Sequence, residues 1–376
     1  MTVIVAVIAS IVGLAILLVL AVTVVAARSL VIGATPRPIS YKLAGDRIEL
    51  EPTELTRAPG SYGLIAPDGA HARIDRVLEV DGTSVTRALG TITGGPLPLE
   101  GTGRWVRDVY PSPAALGLPF EEVDIPTEGG KSPAWKVSGD ADSDIWAIHL
   151  HGIRTTRSVV LPGVAALQST GVTSLVPSWR GDTEGPATFS GGSSLGQEEW
   201  RDVEAALKFA VASGANSIVL VGWSMGAMIG SLLLQNSPLA DRVFAMVMVA
   251  PVTSWRLVLA NAVRAAKLPK AIGWLVGGIL RTPVVCRIAG LAAPVKLSAF
   301  DAATARVNMP TLVIHNPGDH LSPFAATVDF RARSDEHVEL VVFEDAPHAM
   351  EWNREPGRFE DTVSAWVANI VARARA

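Results

Sequence analysis

From residue 120 to the C-terminus, short apolar runs alternate with amphipathic helical stretches. Runs at residues 120–125, 134–137, 145–150, 172–176, 218–222, 243–250, 311–315 and 338–343 read as strands. Helical stretches at residues 159–168, 196–212, 225–234 and 324–333, with a last one from Pro356, fall between or after them. Strands alternating with helices specify an α/β fold, a mostly parallel central sheet with helices on both faces. Sheets of this kind place their sites at the carboxyl ends of the strands. No internal repeat is visible.

Ahead of this unit the chain changes character twice. Residues 1–27 hold no charged side chain, and residues 3–27 are almost wholly Val, Ile, Leu and Ala. About 20 apolar residues suffice to cross a bilayer core as a helix. A cleaved signal peptide wants a basic start and a shorter apolar run, and here no Lys or Arg precedes the run. The expectation is therefore a single-pass membrane anchor, residues 1–27, contacting lipid through residues 3–27. Arg28, Arg37 and Lys42 follow it, which by the positive-inside rule puts the body of the protein in the cytoplasm. Residues 28–117 are rich in Pro, Gly and Thr, with short charged alternations such as residues 73–81. Turn signals at Asp81-Gly82 and Gly94-Gly95-Pro96 mark short strands, hence a small β-rich accessory module without chemistry of its own.

Composition removes several functions. Of 376 residues, 49% are hydrophobic and 18% charged, and the net charge of −4 argues against nucleic acid as a partner. Cys286 is the sole cysteine, which excludes an internal disulfide framework and a Cys-based zinc site. Nothing in the pattern calls for a metal or cofactor.

The chemistry is carried by Gly222-Trp223-Ser224-Met225-Gly226, a G-x-S-x-G pentapeptide. Alone the motif is short enough to recur by chance. Here it joins an apolar strand to an apolar helix, the strand–turn–helix setting it needs. So sharp a turn crowds the residues two before and two after the serine, hence glycine at 222 and 226. The turn holds the Ser224 hydroxyl clear of the sheet, with the Met225 N–H at a helix N-terminus facing a developing oxyanion. A serine needs a base to take its proton, and the base needs an orienting acid. Asp319 follows the strand at 311–315, and His348 follows the last strand at 338–343. The order Ser…Asp…His is that of the α/β-hydrolases.

Rival groups read differently. His315 lies inside a strand, as a core histidine does, and His320 adjoins the acid, so that it serves only with another loop geometry. Asp345 is too near His348 in sequence to orient it and suits local turn bonds. A second oxyanion donor is expected after the strand at 145–150, in His149-Leu150-His151-Gly152-Ile153-Arg154. Gly152 lets the backbone pass close to the nucleophile and leaves the Ile153 N–H pointing inward, with His151 bracing the loop. Arg154 either meets an acidic substrate group or is a solvated loop residue. Arg180-Gly181-Asp182 follows the next strand and reads as part of a βα loop.

From about residue 118 the chain resembles an α/β-hydrolase of the Bem46-like, serine-aminopeptidase-like branch. The matching pieces are His149-Leu150-His151-Gly152, Arg180-Gly181-Asp182, Gly222-Trp223-Ser224-Met225-Gly226, Asp319 and His348. The resemblance covers about two thirds of the chain. It implies the hydrolase fold over residues 118–376, Ser224, Asp319 and His348 as triad, and Met225 and Ile153 as oxyanion donors.

Some sixty residues separate the strands at 243–250 and 311–315, too many for a bare loop. They are expected to form a helical cap at about residues 253–302. Seven basic residues and no acidic one lie between Ser254 and Phe300. Two readings of this cap stand side by side. It lies on the anionic membrane surface and admits lipid-like acyl substrates, or it is an amphipathic cap packed on the core.

The expected function is a membrane-anchored serine hydrolase that cleaves a carboxylic ester or thioester through an acyl-serine. The alternatives are acyl transfer or peptide cleavage by the same triad, and an idle module of the same fold that binds a partner.

Overall fold

The computed structural model describes residues 2–33, 36–141, 143–301, 307–334 and 336–375. The expected first residue of the anchor, Met1, and last residue of the cap, Ala302, lie outside the described residues, as do Ala34 and Thr35 within the expected module.

The uncharged N-terminal run forms one helix, α1 (Thr2–Val31). Its character changes along its length. Residues 3–21 are exposed apart from a half-exposed Gly13, whereas Thr23, Ala27 and Val31 are buried against the body of the protein. At 1.5 Å per residue the exposed part spans about 28 Å, close to the ~30 Å of a bilayer core.

The next segment is a closed antiparallel barrel with strand order β1-β2-β5-β4-β3-β6. Its strands are β1 (Ile39–Ala44), β2 (Arg47–Leu50), β3 (Tyr62–Ile65), β4 (His71–Val80), β5 (Val85–Thr93) and β6 (Glu100–Val106). One short helix, α2 (Glu54–Arg57), lies between β2 and β3 and is capped by Thr53. Closure removes the exposed edges that strands this short would otherwise leave. Inward residues such as Ile48, Leu50, Leu64 and Ile74 fill the interior.

Arg87, on β5, is fully buried. It donates to the carbonyls of Asp75 (2.8 Å), Thr56 (2.9 Å), Ala58 (2.8 Å) and Gly60, and lies against the Tyr62 and Trp105 rings. One side chain thus satisfies alternate carbonyls of the segment, at residues 56, 58 and 60. Burial lowers its pKa to about 10, which leaves it charged at neutral pH.

The larger domain follows. In chain order it contains β7 (Glu121–Thr127), β8 (Gly130–Val137), β9 (Ile145–Leu150), α3 (Leu161–Leu167), β10 (Thr173–Pro177), α4 (Glu199–Ala212) and β11 (Ser217–Trp223). Next come α5 (Met225–Asn236), β12 (Val243–Val249), the cap helices α6 (Trp255–Ala265), α7 (Lys270–Arg281) and α8 (Cys286–Ala289), and β13 (Thr311–His315). The chain ends with α9 (Phe324–Arg333), β14 (Val338–Val342), α10 (Glu351–Arg354) and α11 (Pro356–Arg375). The eight strands are ordered β14-β13-β12-β11-β9-β10-β8-β7. The first six of that order are parallel, and the β7–β8 hairpin adds an antiparallel edge.

Alternate residues on the central strands feed two cores. Ile148, Leu150, Leu220 and Met248 face α4, α5 and the cap, whereas Ala147, Val219, Val221 and Val247 face α3 and α11. This two-sided burial is why these strands are apolar throughout. Helix α4 starts at Glu199 rather than at 196. Gly196 has φ +87°, and a Cβ there would lie 2.7 Å from Met228 Cε, so the chain is still turning at that point.

Candidate active site

The local sequence around Ser224 makes the turn. Ser224 has φ 55° and ψ −117°, a conformation that side-chain-bearing residues rarely adopt. A Cβ on Gly222 would lie 2.6 Å from the Ala227 backbone, and one on Gly226 would lie 2.2 Å from the Leu150 carbonyl oxygen. Residue 222 is glycine because the turn folds back on it. Residue 226 is glycine chiefly because α5 passes over the end of β9, a reason that lies outside the pentapeptide.

Three loops at the carboxyl ends of β11, β13 and β14 bring the expected residues together. Ser224 Oγ lies 2.7 Å from His348 Nε2, and His348 Nδ1 lies 2.6 Å from Asp319 Oδ2. The carboxylate accepts from Nδ1–H, which leaves Nε2 to accept the serine hydroxyl. Asp319 is held on its other oxygen by the N–H groups of Leu321 (2.8 Å) and Ser322 (2.9 Å).

His315 was expected to be a satisfied core residue, and it is buried with both nitrogens bonded. One partner is Thr327 Oγ1 at 2.9 Å, but the other is Asp319 Oδ2 at 3.0 Å. The acid thus receives two imidazole N–H groups on one oxygen. The i, i+4 spacing from strand end to loop was the only signal for this, and it is too common to read. Burial alone would raise the Asp319 pKa; the bonds from His315 and His348 outweigh it and hold the carboxyl well below the usual carboxylate range. His320 is exposed, and Ser224 Oγ is bonded to His348 instead.

The loop after β9 abuts the nucleophile. A Cβ on Gly152 would lie 3.3 Å from Ser224 Cβ, so the backbone that leads to Ile153 passes in contact with the serine. His151 is fully buried, with Nδ1 2.9 Å from the Gly152 carbonyl and Nε2 2.8 Å from Asp182 Oδ2. Its ring stacks on Trp179 at 3.6 Å. Asp182 is itself held by the Trp179 N–H, and Arg180 pairs with Asp202 at 2.6 Å. Arg154 is an exposed loop residue, as one reading had it, but it meets the protein's own backbone. Its guanidinium donates to the Ser29 carbonyl and its side chain packs on Gly33, fastening the end of α1 to this loop.

The barrel is not a bystander. A cleft of about 970 Å³ opens above His348. Residues 52–55 and 57–59 of the barrel form one wall, Val258, Ala262 and Ala265 of α6 form another, and Gly318, His320, Leu321 and residues 345–348 form the floor. Asn353, just past His348, fixes the barrel in place by donating to the Ser61 (2.6 Å) and Arg107 (2.9 Å) carbonyls. The small β-rich module expected from the sequence thus supplies a wall of this cleft. Its sequence holds no catalytic motif because it contributes shape and backbone bonds.

Glu351 lies fully buried beside this junction, with Oε1 2.8 Å from Asn316 Nδ2 and Oε2 without a partner. Burial is the main cause that raises its pKa to about 8. Between pH 4.5 and 8 the unfolded chain has lost this proton and the folded one keeps it, so stability falls as pH rises. Glu351→Gln is expected to raise thermal stability at pH 7, by at most about 3 kcal/mol. The gain should shrink to nothing below pH 4.5 in melts followed by circular dichroism. A gain that does not change with pH would show the carboxyl to be ionised in the fold.

Among the described residues no cluster of His, Cys, Asp or Glu has the arrangement of a metal site.

A serine on a strand–turn–helix elbow, bonded to a histidine that is bonded to a buried aspartate, on a mostly parallel sheet, defines the architecture of the serine hydrolases. Residues 147–362 match the alpha/beta hydrolase family, more than half of the sequence, and the chain belongs to that family. Residues 39–106, the barrel, match a domain of unknown function. No curated protein matches the chain. Among solved structures it is similar to the Pyrococcus furiosus esterase Pf2001, at 22% identity and TM-score 0.52 over 69% of this chain and 95% of that one. A lidless α/β serine hydrolase from Xanthomonas campestris is similar at 15% identity and TM-score 0.45, over 66% of this chain and 94% of the other. At such identities the likeness to Pf2001 speaks for the fold.

Proposed function

We propose that the protein is a membrane-anchored serine hydrolase that cleaves a carboxylic ester or thioester. The observation that carries this reading is the unbroken hydrogen-bond chain from Ser224 through His348 to Asp319. His348 Nε2 takes the hydroxyl proton as Ser224 Oγ attacks the acyl carbon, and Asp319 holds the ring and stabilises the imidazolium. The N–H groups of Met225 and Ile153 receive the oxyanion. His348 then protonates the departing alcohol or thiol, and a water activated by the same nitrogen releases the acid. The substrate lies in the cleft between the barrel wall and α6. The exposed 3–21 stretch of α1 supports the anchor, and Arg28, Arg37 and Lys42 favour the cytoplasmic side.

The test is fluorophosphonate labelling of the full chain, together with hydrolysis of nitrophenyl esters of graded acyl length. Labelling at Ser224 and ester turnover are expected; folded protein that takes no label would sink the reading. The pH profile is a second readout. Burial pulls His348 below histidine's ordinary 6.5, the bond and charge of Asp319 oppose this, and Arg107 and His315 add to it. The neutral imidazole is the working base, so kcat/KM should climb with rising pH and be half-maximal below pH 6.5. A midpoint above that value would point to another base.

A further inference from the structure

We propose that the cap carries a second binding site, for the anionic headgroup of a membrane phospholipid, in a cleft between α6 and α7. The proposal rests on the membrane-anchor reading above. The cleft has a volume of about 1000 Å³. Arg256, Arg264, Lys267, Lys270 and Arg281 surround it, and Leu259, Val263, Leu268 and Leu297 give it an apolar floor. No carboxylate lines it, and none of the five basic groups forms an ion pair among the described residues. Five unneutralised cations above an apolar floor complement a phosphate ester that carries acyl chains.

Position supplies the occupant. Helix α1 is exposed through residue 21, and beyond that point it packs on α7 and α8. Arg28 Nη1 donates to the Ile288 carbonyl at 3.1 Å, which ties the end of the apolar run to the cap. The cap therefore sits where α1 would leave the bilayer. In the cap, Trp274, at the cleft, is 79% exposed, Val284 76%, and Ile288, whose carbonyl meets Arg28, 49%. Large apolar groups and a tryptophan so placed suit the headgroup region of a membrane, and basic residues beside them suit an anionic leaflet. Helix α6 separates this cleft from the one above His348. Val258, Ala262 and Ala265 face the latter, while Leu259, Ala260 and Val263 face the former.

The experiment uses the full chain in phosphatidylcholine vesicles that hold a trace of acyl-labelled dansyl phosphatidylglycerol or dansyl phosphatidylcholine. Energy transfer from tryptophan reports which lipid gathers at the cap. Wild type should favour the anionic lipid. R256E/K270E/R281E should lose at least about tenfold of that preference, and the milder R256Q/K270Q/R281Q should lose it in part. Both variants should stay with the vesicles after a carbonate wash, which reads the anchor alone. Equal transfer for the two lipids in wild type, or preference kept by both variants, overturns the headgroup site while leaving the anchor standing. Loss of wild type from the vesicles overturns the anchor reading and this site with it. Excess glycerol 3-phosphate should leave the preference unchanged; displacement would assign the cleft to a soluble phosphate instead.

Discussion

Alanine at position 224 is expected to cut ester turnover by about 10⁴-fold or more while leaving the fold intact. Ser224 is 3% exposed, and its hydroxyl sits 2.7 Å from His348 Nε2, the nitrogen positioned to take its proton. Removal of Oγ leaves His348 and Asp319 bonded to each other, with no nucleophile for the base to activate. The backbone should tolerate the change, because alanine at φ 55° meets the same strain as serine. Stability is therefore expected to shift by no more than about 1 kcal/mol. The measurement is kcat for wild type and Ser224→Ala, with melts to show that the variant is folded. Residual turnover within tenfold of wild type would remove Ser224 from the reaction.

The second large effect is expected far from the motif. Arg87→Leu should destabilise the protein by about 3–5 kcal/mol. The four carbonyls at positions 56, 58, 60 and 75 lose their donor together, and leucine supplies none. Each unsatisfied buried acceptor costs on the order of 1–3 kcal/mol, partly recovered where the chain can relax toward water. Relaxation is itself informative, since residues 52–55 and 57–59 wall the cleft above His348. At temperatures where the variant stays folded, KM should rise more than kcat falls. An unchanged melting temperature would mean that Arg87 does not hold the barrel. A lowered melting temperature with unchanged KM would mean that the wall does not touch substrate.

How much of this was legible depends on the range of the interaction. The alternation of strands and helices could be read because period and burial are local properties, and the sheet order obeys them. Ser224 could be read because its turn demands glycine next to it. Asp319 and His348 follow from their places after two strand ends, and the structure brings both to the serine. His315 shows the limit. Its burial was legible, but its bond to Asp319 depends on how the loop after β13 curls back. Arg154 shows it again, since its partner at Ser29 is remote in sequence.

The cap sits between these cases. Its charge imbalance was plain from residues 254–300. That α7 and α8 pack on α1 at the point where α1 ceases to be exposed could not be read there.

By itself the sequence determined the α/β rhythm, the lipid-length apolar helix, the elbow serine and the two loops that answer it. All of these are written in residue spacing and side-chain type. The tertiary structure alone decided that the barrel closes, that Arg87 stitches residues 56–60, and that this stitched segment becomes a wall of the cleft. Those outcomes rest on backbone carbonyls meeting a distant side chain. Every residue carries a carbonyl, so the sequence leaves no mark of which ones will be used.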